Sequence, residues 1–283
     1  HKAIMGQINK SWAIKKLFKL CQKINSRALS RLVFKKVNNE LGGSLRVMAS
    51  GGAKLDPEIA RDYLTLGLPL MEGYGLTETS PIISFNNPDR IKPGTVGELI
   101  PDIEVKIAED GEVLVKGANV MKGYYNNPKA TAEVIDADGW FHTGDLGKLE
   151  NNYLSIIGRK KEMIVLSNGK NINPSDIESE IFKGTDLIKE IAVMEYNNHL
   201  MAVVYPDFDL IKHRKITNIK ETLKWEIIDK YNITAPKYRK ILEIKIVKDE
   251  LPKTKLGKVR RFMLNDFLAG QAIEDGNEDS SKH

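Results

Sequence analysis

The sequence predicts an α/β sheet piece, then a strand-rich, barrel-like segment, then a small α+β unit. Three observations predict it. In residues 45–80, two apolar runs end in glycine-containing turns on either side of a helix start. In residues 94–160, short alternating runs are separated by Gly, Asn, Asp and Pro. From residue 162 on, strands alternate with two helical stretches.

In chain order, Ile14, Leu17, Phe18, Cys21 and Ile24 repeat at helical spacing, with Lys15, Lys16, Lys19 and Lys23 between them. This predicts an amphipathic helix with a cationic face. Leu45–Ala49 reads as a strand running into the turn Ser50-Gly51-Gly52. Asp56-Pro57 reads as a helix start, an N-cap candidate followed by proline in the first turn. Leu68–Glu72 leads into a second glycine turn, Gly73-Tyr74-Gly75. Two strand ends that carry glycine turns point to a ligand edge of an α/β sheet. Val96–Ile100, Ile103–Ile107, Glu112–Val115 and Leu154–Ile157 are the strands of the middle segment. Strands Met163–Leu166, Ile191–Met194, Met201–Tyr205 and Ile241–Val247, with helices over 174–183 and 216–232, make the last unit. The charged run Gly158–Glu162 is the candidate boundary.

The 283 residues are 41% hydrophobic and 29% charged, with net charge +5, which excludes disorder, a collagen repeat and a disulfide scaffold. Cys21 is the single cysteine, so no internal disulfide can form, in keeping with a reducing, cytoplasmic setting. No apolar run approaches the roughly 18 residues of a spanning helix, and early lysines interrupt any signal-peptide pattern. Residues 1–40 hold ten Lys/Arg against one acid, Glu40. Two readings fit the basic helix: peripheral contact with an anionic membrane, or a surface helix packed on a larger domain with its lysines solvated. The absence of aromatic interleaving favours the second. No basic stripe continues beyond it, so a nucleic-acid partner is not expected.

The sharpest motif is Glu72-Gly73-Tyr74-Gly75-Leu76-Thr77-Glu78-Thr79-Ser80-Pro81. Glycines flanking an aromatic allow a flat ligand to approach the backbone. The Thr77 hydroxyl can donate to a phosphate oxygen, and the Glu78 carboxylate can hold a hard divalent cation. Alone, an ordinary glycine turn with a solvated Thr-Glu explains these residues equally well. They are accompanied by Ser50-Gly51-Gly52-Ala53 upstream and by His142-Thr143-Gly144-Asp145-Leu146-Gly147 downstream. Gly158–Glu162 and Pro252-Lys253-Thr254-Lys255-Leu256-Gly257-Lys258 follow.

In order and spacing these five motifs resemble the adenylate-forming superfamily of acyl-CoA synthetases, firefly luciferases and peptide-synthetase adenylation domains. The wording of Ser50–Pro57, Gly73–Pro81 and Asn168–Pro174 looks most like the long-chain fatty-acid–CoA ligases. The resemblance implies that residues 1–161 are the C-terminal portion of a large AMP-binding domain and that 162–268 form a small mobile domain; the polar, Gly/Ser-containing composition of 269–283 reads as a disordered tail. It implies ATP, Mg²⁺ and CoA as co-substrates and cofactor, and a fatty or other carboxylic acid as substrate. Gly52 and Ala53 would lie on one face of the adenine and Tyr74 would cover the other, with Gly75 among the ATP/AMP-binding residues. Thr77 would contact the α-phosphate and Glu78 would hold Mg²⁺. Asp145 would accept from both ribose hydroxyls, and Arg159 would reach the ribose or phosphate. Lys161 would be the hinge, Gly169 would line the CoA tunnel, and Lys258 would be the catalytic lysine of adenylation.

Each has a plainer reading: Asp145 as a turn residue, Arg159 as a surface ion-pair partner, Lys253, Lys255 and Lys258 as solvated charge. One departure is Leu256, where the family often has Ser. The family's Ser/Thr/Gly-rich phosphate loop has no counterpart here. The expectation is therefore a C-terminal half that does not catalyse ATP–pyrophosphate exchange by itself.

Overall fold

The computed structural model describes residues 1–167, 169–255 and 257–270. The expectations for Leu256 and for the tail beyond 270 lie outside the described residues. The chain divides into two compact units, His1–Lys160 and a second beginning at Lys161.

The first unit opens with four short helices, α1 (Lys2–Lys10), α2 (Trp12–Ile24), α3 (Arg27–Val33) and α4 (Lys35–Glu40). Phe18 and Cys21 of α2 are buried and cluster with Ile8, Phe34, Leu66 and Leu68. The expected stripe is therefore split: its centre packs on the domain, while Ile14, Leu17 and Ile24 remain exposed beside the lysines. Among the described residues no helix is long and apolar enough to cross a membrane.

Strand β1 (Met48–Ser50), helix α5 (Pro57–Thr65) and β2 (Leu70–Gly75) form the expected α/β piece, with β1 and β2 paired in parallel. Asp56 caps α5 by accepting from the Glu58 amide at 2.9 Å. Strands β3 (Ile82–Phe85), β4 (Gly97–Leu99), β5 (Ile103–Ile107), β6 (Glu112–Gly117), β7 (Phe141–Glu150) and β8 (Tyr153–Arg159) extend the same sheet, with α6 (Pro128–Val134) between β6 and β7. The order is β1-β2-β3-β4-β8-β7-β6-β5, and every pair beyond β1–β2 is antiparallel. The strand-rich segment thus continues an open sheet rather than closing on itself. Ile83, Val113, Val115 and Leu154 are its buried core.

Gly73-Tyr74-Gly75, expected as a turn, is the end of strand β2. The glycines serve close approach, not reversal. A Cβ on Gly75 would lie 1.7 Å from the Pro81 carbonyl oxygen, and one on Gly73 would lie 2.5 Å from the Phe85 ring. The chain reverses afterwards, through the 3₁₀ turn Thr77–Thr79 and left-handed Ser80.

The second unit carries the hairpin β9 (Ile164–Val165) and β10 (Asn171–Ile172), helix α7 (Pro174–Lys183), and strands β11 (Ile188–Tyr196) and β12 (His199–Pro206). Helices α8 (Phe208–His213), α9 (Ile219–Leu223) and α10 (Lys230–Thr234) follow, then β13 (Ile241–Ile246). The single helix expected over 216–232 is α9, a π-helical stretch Lys224–Asp229 and α10 in succession. Strands β11, β12 and β13 form one sheet, and α7 and the helices between β12 and β13 bury Ile177, Ile181, Leu223 and Ile227 together with it.

Candidate active site

Because β1 and β2 are parallel neighbours, their C-terminal ends lie side by side, where ligands bind in open α/β sheets. A cleft of about 260 Å³ opens there, lined by Ser50, Gly51, Gly73, Tyr74, Gly75 and Phe85 among others. Gly52, held at φ +76°, and Ala53 follow on the exposed loop beyond it.

Tyr74 and Asp145, 71 residues apart, meet: the Tyr74 hydroxyl donates to Asp145 Oδ2 at 2.7 Å. Arg159 Nε lies 2.9 Å from Asp145 Oδ1. Asp145 and Arg159 are direct cross-strand partners on β7 and β8, so sheet register places the pair. Asp145 is buried and Arg159 is half exposed. Burial first, and then the Asp145 charge, raise the Tyr74 pKa, so the hydroxyl stays protonated and donates.

The strand carrying Asp145 is held by residues without an expected role of their own: Thr143 and Lys160 inside the quoted motifs, and Glu112 outside them. Thr143 Oγ1 donates to the Val113 carbonyl at 2.8 Å and accepts from the Asp145 amide at 3.1 Å. Buried Glu112 accepts from the Gly144 amide at 2.9 Å and from Lys160 Nζ at 3.0 Å. Burial pulls the Glu112 carboxyl up, but the hydrogen bonds from Lys160 and Gly144 outweigh it and leave its pKa below the usual range. Asp110 and Glu112 in turn raise the Lys160 pKa. Lys160 is thereby tied to the strand beside Arg159, and the next residue, Lys161, begins the second unit in an exposed 3₁₀ turn.

Thr77 is exposed and Glu78 half buried at the 3₁₀ turn after β2. The loop after β6 splints this turn. The Met121 amide donates to the Glu78 carbonyl at 2.8 Å, and the Tyr124 hydroxyl donates to Glu78 Oε1 at 3.0 Å. Fully buried Thr79 accepts from the Leu76 amide at 3.0 Å.

Glu72 is buried on β2 and accepts from the Leu55 amide at 3.3 Å, tying the Gly52–Ala53 loop to the strand. Burial pushes its carboxyl up to about 7; the Leu55 hydrogen bond and Lys54 oppose this only in part. The folded-state pKa is raised above the ordinary 4.5, so the folded state holds the proton more tightly. This contribution to stability is complete below about pH 4.5 and is lost as the pH rises to about 7. Its size is on the order of 3 kcal/mol. Glu72→Gln keeps an acceptor for Leu55 and cannot ionise. Across a pH 5–8 thermal-unfolding series it should stay flat relative to the wild type and be the more stable protein at pH 8. A wild-type slope that persists in the variant would refute this.

The second unit holds the other two expected residues. Gly169 lies in the β9–β10 connection at φ +74°, its amide donating to the Leu166 carbonyl at 2.8 Å. Lys258 is exposed after a tight turn: its carbonyl accepts from the Thr254 amide at 2.8 Å, and Lys253 bridges Val259.

Residues 12–125 match the AMP-binding enzyme family, and residues 161–274 match the AMP-binding enzyme C-terminal domain. Long-chain-fatty-acid–CoA ligase FadD15 of Mycobacterium bovis is 44% identical over 165 residues, 58% of this chain and 27% of that protein. Long-chain-fatty-acid–CoA ligase 1 of Cavia porcellus is 36% identical over 198 residues, 65% of this chain and 28% of that protein. Among solved structures, ATP-bound MatB from Rhodopseudomonas palustris aligns with TM-score 0.66 and 28% identity, covering 85% of this chain and 49% of that one. O-succinylbenzoate coenzyme A synthetase from Bacillus subtilis, in complex with AMP, aligns with TM-score 0.65 and 26% identity, covering 83% and 49%. The chain therefore spans between a quarter and a third of these two curated relatives and about half of the solved chains.

Proposed function

We infer the function of this chain from one premise: it belongs to the adenylate-forming AMP-binding enzymes. We propose that it is part of an ATP-dependent long-chain fatty-acid–CoA ligase. Residues 1–161 would supply the nucleoside side of the AMP site, and 162–268 a mobile domain. The observation that carries this reading is the Tyr74–Asp145–Arg159 cluster beside the cleft at the ends of β1 and β2. A buried carboxylate held from two sides suits a ribose diol, and an aromatic flanked by glycines suits a purine.

Activation answers an electrostatic problem. A carboxylate oxygen attacks the α-phosphorus of ATP, the bond to the pyrophosphate oxygen breaks, and acyl-AMP forms. The CoA sulfur then attacks the acyl carbon, and AMP leaves with the phosphate oxygen. Lys258 would neutralise charge in the first step, and Thr77 would donate to the α-phosphate. Rotation about Lys161 would exchange Lys258 for the thiol, with Gly169 beside the incoming CoA.

Glu78 supplies one carboxylate beside the turn after β2, and such a donor fits Mg²⁺, which is held by one or two carboxylates plus substrate phosphates. Glu78, oriented by Tyr124, is the residue that would hold it, and the ion would supply further charge neutralisation.

The relatives named as long-chain fatty-acid ligases are 44% and 36% identical, against 28% for MatB and 26% for the O-succinylbenzoate enzyme, which favours a fatty acid as substrate. The test is acid-dependent exchange of labelled pyrophosphate into ATP by the whole protein, offered palmitate and benzoate side by side. Exchange driven by palmitate supports the reading. Exchange driven by benzoate alone overturns the substrate, and none with any acid overturns the activity.

A further inference from the structure

We propose that Arg261 and Lys253 are positioning residues for Lys258, clamping the two feet of the turn that carries it. This rests on the adenylation role given to Lys258 above. A lysine ammonium on a flexible stem reaches one point reproducibly only if its backbone is fixed. Lys258 itself is exposed on a turn; among the described residues, Leu251 and Leu264 are buried on either side of it, and partly buried Val259, next to Lys258, packs against the same core cluster.

Both feet are also tied by charge, the entry to β11 and the exit to α7 and β11. At the entry, Lys253 Nζ contacts Glu190 on β11 and lies 2.8 Å from Glu250 Oε2, while the Leu251 amide donates to Glu190 Oε2 at 2.8 Å. At the exit, both Arg261 terminal nitrogens donate to the two carboxylate oxygens of Glu178 on α7, each at 2.7 Å. The same guanidinium donates to the Val193 carbonyl on β11 at 3.0 Å and to Ser175 Oγ at 3.2 Å. The Val193 amide donates to Glu178 Oε1 at 2.6 Å, which fixes the acceptor. Between the feet, the Arg260 amide donates to the Pro252 carbonyl at 2.7 Å and closes the loop.

Partly buried ion pairs add little net stability, because desolvation offsets attraction. A bidentate arginine–carboxylate fork does impose a direction. The Arg261 fork and the Lys253 ion pairs, anchoring the two ends of one short turn, therefore act on geometry.

The test separates two half-reactions in the whole protein: acid-dependent ATP–pyrophosphate exchange, and thioester formation from supplied acyl-AMP and CoA. Arg261→Met and Lys253→Met should each lower adenylation roughly 10- to 10²-fold, the cost of misplacing a reacting group by about 1 Å. Thioester formation, which needs no Lys258, should change little. Lys255→Ala, an exposed charge on the same turn, should leave both steps intact. If Arg261→Met does not fold, Arg261→Lys keeps the charge without the fork and should show the same selective loss. Equal loss of both steps, or no loss in either, overturns the clamp. Adenylation that survives Lys258→Ala overturns the underlying role of the lysine instead.

Discussion

If Lys258 serves adenylation as proposed, Lys258→Ala should lower that step about 10²- to 10³-fold, the usual cost of removing a preorganised charge-stabilising donor. Thioester formation from supplied acyl-AMP should be spared. The asymmetry follows from the chemistry. In the proposed first step a carboxylate approaches a phosphate, and negative charge accumulates where an ammonium can neutralise it. In the second, a thiol attacks an acyl carbon that is already activated, and adenylate is a good leaving group without further help. Lys258 also stands on a surface turn, where its side chain supports no core cluster. Truncation should therefore leave the thermal midpoint near that of the wild type, so lost rate reports lost chemistry. Equal impairment of both half-reactions would remove the lysine from the role assigned to it.

Legibility in the sequence tracked how local the cause was. The β1–α5–β2 piece was readable because Asp56-Pro57 caps a helix and the apolar runs on either side are short. Strand β7 was not read as a strand: Gly144 and Gly147 lower strand propensity, and Asp145 between them looks like a turn residue. Its alternating burial becomes visible only once β6 and β8 lie on either side. Gly73 and Gly75 read in sequence as a turn, whereas the constraint on them is the passing chain at Pro81 and Phe85.

Residues with intrinsic chemistry (Tyr74, Asp145, Arg159, Lys258) stood out through their motifs. Their supports did not. Glu112 reaches Gly144 across 32 residues, and Arg261 reaches Glu178 across 83. A lone Glu in a strand and an Arg in a basic run carry no local mark of a partner so far along the chain. Lys253, which reads as solvated charge, is instead held by two carboxylates.

Asp145→Ala should weaken AMP binding about 10²-fold, measured by calorimetric titration. A hydrogen bond to a charged group is worth about 1.5–3 kcal/mol, and the proposal gives this carboxylate two ribose hydroxyls. The effect on stability is separable. Removing the carboxylate leaves the largely buried Tyr74 hydroxyl without its acceptor, at about 1–3 kcal/mol, while half-exposed Arg159 recovers solvent. Tyr74→Phe is the discriminating control: it removes the 2.7 Å hydrogen bond and keeps both the ring and the carboxylate. If Asp145 grips the nucleoside directly, Tyr74→Phe should cost far less affinity than Asp145→Ala. If Asp145 only braces Tyr74, the two variants should bind AMP equally poorly. Asp145→Asn sharpens the comparison, since it preserves shape and one acceptor but turns an amide donor toward either Arg159 or Tyr74. It should fall between the two, and AMP affinity unchanged by Asp145→Ala would remove the carboxylate from the nucleotide site altogether.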